Sequence, residues 1–173
     1  MERTIASERV YKGKIINVRR DMVLTESGRE VSREVVEHPG AVAILAVDAE
    51  GRIALVRQYR YAVAEALWEV PAGKLEPGED PAACAERELA EETGYKAENV
   101  EQLTCIYSTP GFCNEKLYLF YASLLEQGSS HAQEDEAIRV GLFSREAVLE
   151  KIRKGDIRDA KTIAAMLWYT SLL

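Results

Sequence analysis

The sequence predicts an α+β protein, a mixed β-sheet flanked by helices, and three observations carry that expectation. Strand-like stretches dominate up to residue 75, one capped helix interrupts them in mid-chain, and two helical stretches follow residue 143. With 173 residues the chain suits one domain around a single sizeable core, and 47% hydrophobic with 29% charged residues is an ordinary globular composition.

Taken in order, residues 10–37 read as short strands around the turn signal "ESGRE". "AVAILAV", "DAEG" and "RIALVRQYR" read as a buried strand, a glycine-containing turn and a second strand, which is a hairpin. "LWEVPAGKL" is extended, because Pro71 disfavours helix at Val70. Asp80 and Pro81 then open a helix as N-cap and first helical residue, and Gly94 is placed to end it in a left-handed conformation. "NVEQLTCIYST" and "EKLYLFYASLLE" return to strand patterns, residues 126–139 read as a polar loop, and "VGLF" is a short strand. Helices follow from Ser144 to Lys154 and from about Ala160 to Leu172, the latter capped by Asp159. The apolar stripe Ile163, Met166, Leu167 and Thr170, with Trp168 and Tyr169 beside it, suits core packing or a shared dimer surface.

A net charge of −7 makes nucleic acid or an anionic membrane a poor default partner, although a divalent cation would let the chain handle an anionic substrate. The three cysteines, Cys84, Cys105 and Cys113, have no metal-ligand spacing and an odd count, so free thiols in a reducing, cytoplasmic setting are expected. "MERTIASERVYKGK" lacks the apolar centre of a signal peptide, and the longest apolar runs are too short to span a bilayer.

Residues 73–95, "GKLEPGEDPAACAERELAEETGY", hold seven carboxylates against Lys74 and Arg87. At about 100° per residue, Ala82, Ala85 and Leu89 form a buried stripe, and Glu88, Glu91 and Glu92 form an acidic stripe along its edge. Like charges one turn apart repel, and no cation is expected four residues along to compensate them. Clustered carboxylate oxygens on a rigid element are what Mg²⁺ requires, with coordination positions left for water and phosphate oxygens.

At every constrained position this stretch resembles the Nudix box, G-x5-E-x7-R-E-U-x-E-E-x-G-U with U a bulky apolar or aromatic residue. Those positions are Gly73, Glu79, Arg87, Glu88, Leu89, Glu91, Glu92, Gly94 and Tyr95. The resemblance implies an enzyme that splits a nucleoside diphosphate linked to another group, using Mg²⁺ or Mn²⁺. It makes Glu88 and Glu92 the main metal ligands, with Glu88 also among the catalytic residues, Glu91 in support and the carbonyl of Ala72 as a further ligand. Arg87 would pair with Glu79 and fix the loop against the helix.

Outside the box the chain looks like the ADP-ribose pyrophosphatase branch of that family. "VRQYR" before "WEVPAGKLEPGE", "STPGFCNE" with Pro110 sixteen residues after Gly94, and "GDIRDAKTIAAMLWY" carry the likeness. It implies an α/β/α sandwich with a catalytic core over 41–173 and N-terminal antiparallel strands over 1–40, exchanged in a homodimer. It implies the products AMP and ribose 5-phosphate, with a broader nucleoside diphosphate sugar or an NADH-type dinucleotide as the alternative substrate. Arg60 resembles a contact to the substrate phosphates or ribose, and Arg33 one to adenine from the partner subunit. Tyr11 is a candidate for stacking on the same base, or a half-buried core residue. Glu69 is either a substrate contact or a bond to the backbone of the Gly73 loop, and Glu115 either a metal or ribose contact or a solvated charge. In "QEDEAIRV", Glu134 matches the general base of that branch and Glu136 stands second. His38 and His131 lack a partner pattern and read as surface or structural residues.

Overall fold

The computed structural model describes residues 1–127 and 138–171. Two compact units divide the chain: Met1–Gly40 with Tyr107–Lys116, and Ala41–Ile106 with Leu117–Leu173.

In the first unit β1 (Arg3–Lys12), β2 (Asn17–Leu24) and β3 (Glu30–Glu37) form an antiparallel sheet in that order. The turn between β2 and β3 closes through Gly28, whose φ of 77° is costly for any side chain with a Cβ. β1 begins well before residue 10, where strand patterning starts in the sequence, and lies within the 1–40 strand region that the resemblance implies. All ten of its residues are exposed, so no apolar alternation marks it. The segment after Tyr107 docks on β3, with the Val36 amide donating to the Phe112 carbonyl at 2.7 Å and the Asn114 amide to the Val36 carbonyl at 3.1 Å.

The second unit is built on β4 (Ala41–Val47), whose seven residues are all buried. β5 (Ile53–Arg60), β6 (Glu65–Glu69), β7 (Ala72–Lys74), β8 (Tyr95–Tyr107), β9 (Lys116–Gln127) and β10 (Arg139–Phe143) complete its sheet. The strand order is β10-β5-β4-β9-β8, with β6 on β5 and β7 on β4. β4 runs parallel to β9 and antiparallel to β5 and β7, which makes the sheet mixed.

Successive side chains of a strand point to opposite faces, and the core follows that rule. Ala43, Leu45 and Val47 pack with Val148, Ile157, Ala165 and Met166 from α2 (Arg145–Lys154), α3 (Ala160–Ser171) and the turn between them. Val42, Ile44 and Ala46 pack with Cys84, Ala85 and Leu89 of α1 (Pro81–Thr93). This is a three-layer α/β/α arrangement. Burying a leucine such as Leu89 contributes roughly 1.5–3 kcal/mol.

Two face assignments differ from the sequence reading. Ala82 is only half-buried, while Cys84 and Thr93 join Ala85 and Leu89 inside. On α3 the expected stripe splits: Met166 is core with Thr162 and Ala165, whereas Ile163 and Leu167 are exposed. The helix presents residues 162, 165 and 166 to the sheet, which rotates 163 and 167 outward. Tyr169 stacks on Tyr121 with ring centroids 6.5 Å apart. Among the described residues no helix is long and apolar enough to cross a membrane.

Candidate active site

The N-terminus of α1 is locally determined. The Asp80 carboxylate accepts from the amides of Ala82 at 3.0 Å and Ala83 at 3.2 Å, Pro81 takes the first helical position, and Gly94 closes the helix at φ 73°. Ahead of it, Glu76-Pro77-Gly78-Glu79 makes a turn in which Gly78 has φ 80° and the Glu79 amide donates to the Glu76 carbonyl. That turn delivers Glu79 to Arg87. Nε and Nη2 of Arg87 donate to the two Glu79 oxygens at 2.9 and 3.1 Å, and Nη2 also reaches the Lys74 carbonyl at 3.4 Å. The guanidinium fork, with help from the Glu76 amide, holds the Glu79 carboxyl down at about 2.

Arg87 does more than clasp the loop. Its Nη1 donates to Glu88 at 2.9 Å and to Glu91 at 3.3 Å, the latter an i,i+4 pair. The expectation that no cation compensates the acidic stripe is therefore corrected. Arg87 precedes Glu91 by one helical turn and folds along it.

Two glutamates lie deeper. Burial pushes the Glu92 carboxyl up to about 7, aided by the nearby Glu88 charge and opposed by the Ala72 amide, which donates to it at 3.0 Å. Burial also raises Glu88, against the pull of Arg87. Glu88 lies directly over Gly73: a Cβ on that residue would stand 1.8 Å from the Glu88 carboxyl carbon. Only a glycine lets this carboxylate lie against β7.

Among the described residues, no three His, Cys, Asp or Glu side chains converge as ready-made ligands. The donor set nevertheless fits a hard divalent cation. Two partly buried carboxylates whose charged forms are penalised by desolvation sit beside the Ala72–Gly73 backbone, and a bound cation would offset that penalty.

Beside this pair lies a second cluster. Arg60 grips Glu69 with Nε to Oε1 at 2.9 Å and Nη2 to Oε2 at 2.7 Å, and Lys161 contacts the same Oε2. Burial would raise Glu69, which is 1% exposed, but its bond to Arg60 and the charge and contact of Lys161 hold it below the usual carboxylate range. Both Arg60 and Lys161 pull on Glu92 electrostatically, so the second cluster lies within charge range of Glu92. The oxygens of Glu69 are thus taken by cations and not by the backbone of the Gly73 loop.

Sequence reading missed Lys161. One signal was available: a cation in the first turn of α3 opposes the helix dipole and needs a reason to be there.

The first unit carries the remaining candidates. Arg33 pairs with Glu2, its Nε and Nη2 donating at 3.1 and 2.5 Å. Arg33 also lines a hollow of about 300 Å³ with Tyr107, Pro110, Phe112 and Asn114. Tyr11 is 55% exposed and so is no core residue, and its ring covers the Cα of Gly13. Glu115 stands 3.4 Å from Nδ1 of His38, which also accepts from the Gly40 amide. His38 therefore has partners within its own unit. Glu134, Glu136 and His131 lie outside the described residues.

Comparison with known proteins decides what this arrangement belongs to. Residues 37–166 match the NUDIX domain. The chain belongs to the Nudix family. Residues 2–36 match the nucleoside diphosphate sugar hydrolase N-terminal domain, so the Nudix chain carries that module ahead of its core. It is 42% identical over 168 residues to an ADP-ribose pyrophosphatase of Bacillus subtilis (strain 168), covering 95% of this chain and 90% of the relative. It is 39% identical over 167 residues to a methanol dehydrogenase activator of Bacillus methanolicus, with the same coverage. A crystal structure of an ADP compounds hydrolase has the same fold at a TM-score of 0.86 and 20% identity, over 98% of this chain and 92% of that one.

Proposed function

We propose that this Nudix protein hydrolyses the diphosphate bond of ADP-ribose to AMP and ribose 5-phosphate. Water adds across the P–O–P link, one phosphorus gaining hydroxyl and the other oxygen gaining a proton. The observation that carries the reading is the partly buried pair Glu88 and Glu92, raised by desolvation and laid against the Ala72–Gly73 backbone, with Arg60 and Lys161 within electrostatic reach of Glu92. The likeness to the Bacillus subtilis enzyme over nearly the whole chain selects ADP-ribose within the class.

Glu88 and Glu92, with the Ala72 carbonyl and Glu91 in support, would hold Mg²⁺, or Mn²⁺ in its place. When bound, the cation neutralises the diphosphate and makes a water more acidic. Glu79 and Arg87 hold the loop that carries Gly73 against α1. Arg60 supplies a planar donor edge for the phosphates, and its bond to Glu69 sets the direction of that edge. Glu134 is the proposed general base, with Glu136 as the alternative. Arg33 and Tyr11 are assigned to the adenine, across a homodimer formed through the exposed N-terminal strands, and Glu115 to the ribose or the metal. Pro110 shapes the hollow beside Arg33. A cytoplasmic location completes the reading.

The test is a panel of ADP-ribose, GDP-mannose and NADH at equal concentration with Mg²⁺, read as phosphomonoester released. ADP-ribose is expected to be turned over fastest. Equal turnover of GDP-mannose would replace the narrow reading by a general nucleoside diphosphate sugar hydrolase.

A further inference from the structure

We propose that Lys161 is a positioning residue: by sharing Glu69 with Arg60, it keeps the Arg60 guanidinium aimed and net positive toward the substrate diphosphate. The inference rests on the reading of Arg60 as a phosphate contact.

The geometry is over-determined around Lys161. Its ammonium touches Glu69 Oε2 and donates to Asp159 Oδ1 at 2.9 Å. Asp159 Oδ2 accepts from the amide and hydroxyl of Thr162 at 2.9 and 2.6 Å, which caps α3. The Thr162 hydroxyl in turn accepts from the Val70 amide at 2.9 Å, next to Glu69. The start of α3 is therefore tied twice to the end of β6, once through Thr162 and once through Lys161. The Lys161 side chain, 15% exposed, is held from both sides.

Charge explains why a lysine stands there. An ammonium in the first turn of a helix opposes the macrodipole, and partial burial adds a desolvation cost. Thr162 already anchors the helix without charge, so anchoring alone gives no reason for the cation. Arg60, Lys161, Glu69 and Asp159 together are neutral. Without Lys161 they would carry a net negative charge within electrostatic reach of Glu92, where a diphosphate has to approach. With it, the Glu69 charge is divided between two cations. Arg60 spends Nε and Nη2 on Glu69, while its Nη1 has no partner among the described residues and can donate outward.

The experiment pairs Lys161→Met and Lys161→Arg with Arg60→Gln, and combines Lys161→Met with Arg60→Gln. Steady-state hydrolysis of ADP-ribose is read alongside calorimetric binding of α,β-methylene ADP-ribose in EDTA, which needs neither metal nor turnover. Lys161→Met is expected to raise KM and the analogue Kd by about tenfold, the scale of one charge-assisted contact, with kcat nearly unchanged. Lys161→Arg is expected to restore both values, and Lys161→Met to add nothing in the Arg60→Gln background. If Lys161→Met melts early, Lys161→Gln is read instead, because it keeps a donor to Glu69 and removes only the charge. Unchanged KM and Kd in Lys161→Met, with both raised in Arg60→Gln, would overturn the role of Lys161 and leave Arg60 standing. An equal effect of Lys161→Met with and without Arg60 would also overturn it. Normal binding by Arg60→Gln would remove the phosphate reading of Arg60, and the proposal with it.

Discussion

Gly73→Ala separates folding from function at one atom. The added Cβ would stand 1.8 Å from the Glu88 carboxyl carbon and 2.0 and 2.2 Å from its oxygens. Ordinary contact between such atoms needs about 3.5 Å, so the carboxylate must retreat by roughly 1.5 Å. Glu88 can do that, because the obstruction is the far end of a flexible side chain and Gly73 has no positive φ that an alanine would resist. The retreat costs the charge-assisted hydrogen bond from Arg87 to Glu88, about 1.5–3 kcal/mol, and the loss of a glycine from the unfolded chain returns about 0.4–1 kcal/mol. Stability should therefore fall by about 0.5–2.5 kcal/mol, which is a Tm shift of about 1–10 °C for a domain of this size. Activity should not survive so well. Misplacing a site group by about 1 Å costs on the order of 100-fold, so kcat/KM for ADP-ribose should fall at least that far. Thermal melting, steady-state kinetics and Mn²⁺ binding by calorimetry on the same preparation give the comparison. Near-normal turnover in a normally folded Gly73→Ala protein would refute the placement of Glu88 in the site.

Other outcomes follow from the same geometry. The Glu79 carboxyl is held at about 2 by Arg87, below its ordinary 4.5, so the clasp is fully made above the ordinary value and is lost as pH falls toward 2. Acid titration by circular dichroism should show wild type losing stability over that interval and Glu79→Gln, already without the clasp, losing less. Burial, with the Glu79 carboxylate nearby, pushes the Cys84 thiol up to about 12. Iodoacetamide at pH 8 should therefore alkylate exposed Cys105 and leave Cys84 intact in the folded protein, as peptide mass spectrometry would report. Rapid labelling of Cys84 would mean that the loop next to it opens. Glu134→Gln should lower kcat by about 10²–10⁴ with little change in Mn²⁺ affinity, and the same loss in Glu136→Gln instead would move the base by two residues.

How far the site could be read in advance depends on the distance over which each contact acts. The cap at Asp80, Pro81 at the helix start and the left-handed Gly94 are decided by neighbours within one turn, and each was readable from its own segment. The alternate buried faces of β4 follow from a period of two, although seven apolar residues in a row could not say which helix would cover which face. β1 went unread up to residue 10 because a strand exposed on both sides leaves no hydrophobic pattern. The Arg87 contact to Glu91 was legible in principle from i,i+4 helix spacing, whereas the contact to adjacent Glu88 depends on the direction taken by the guanidinium.

By itself the sequence determined the family, the acidic helix with its caps, and the glycine over which Glu88 lies. Those features are spelled in a run of 23 residues from Gly73 to Tyr95, within which the caps and the Glu79–Arg87 clasp find their partners. Tertiary structure alone decided that Glu69 would be gripped from two sides. Lys161 lies 92 positions from it, and nothing local to either residue encodes the meeting. The same holds for the elevated carboxyl of Glu92, because desolvation belongs to the layers that close over a side chain and not to the helix that carries it.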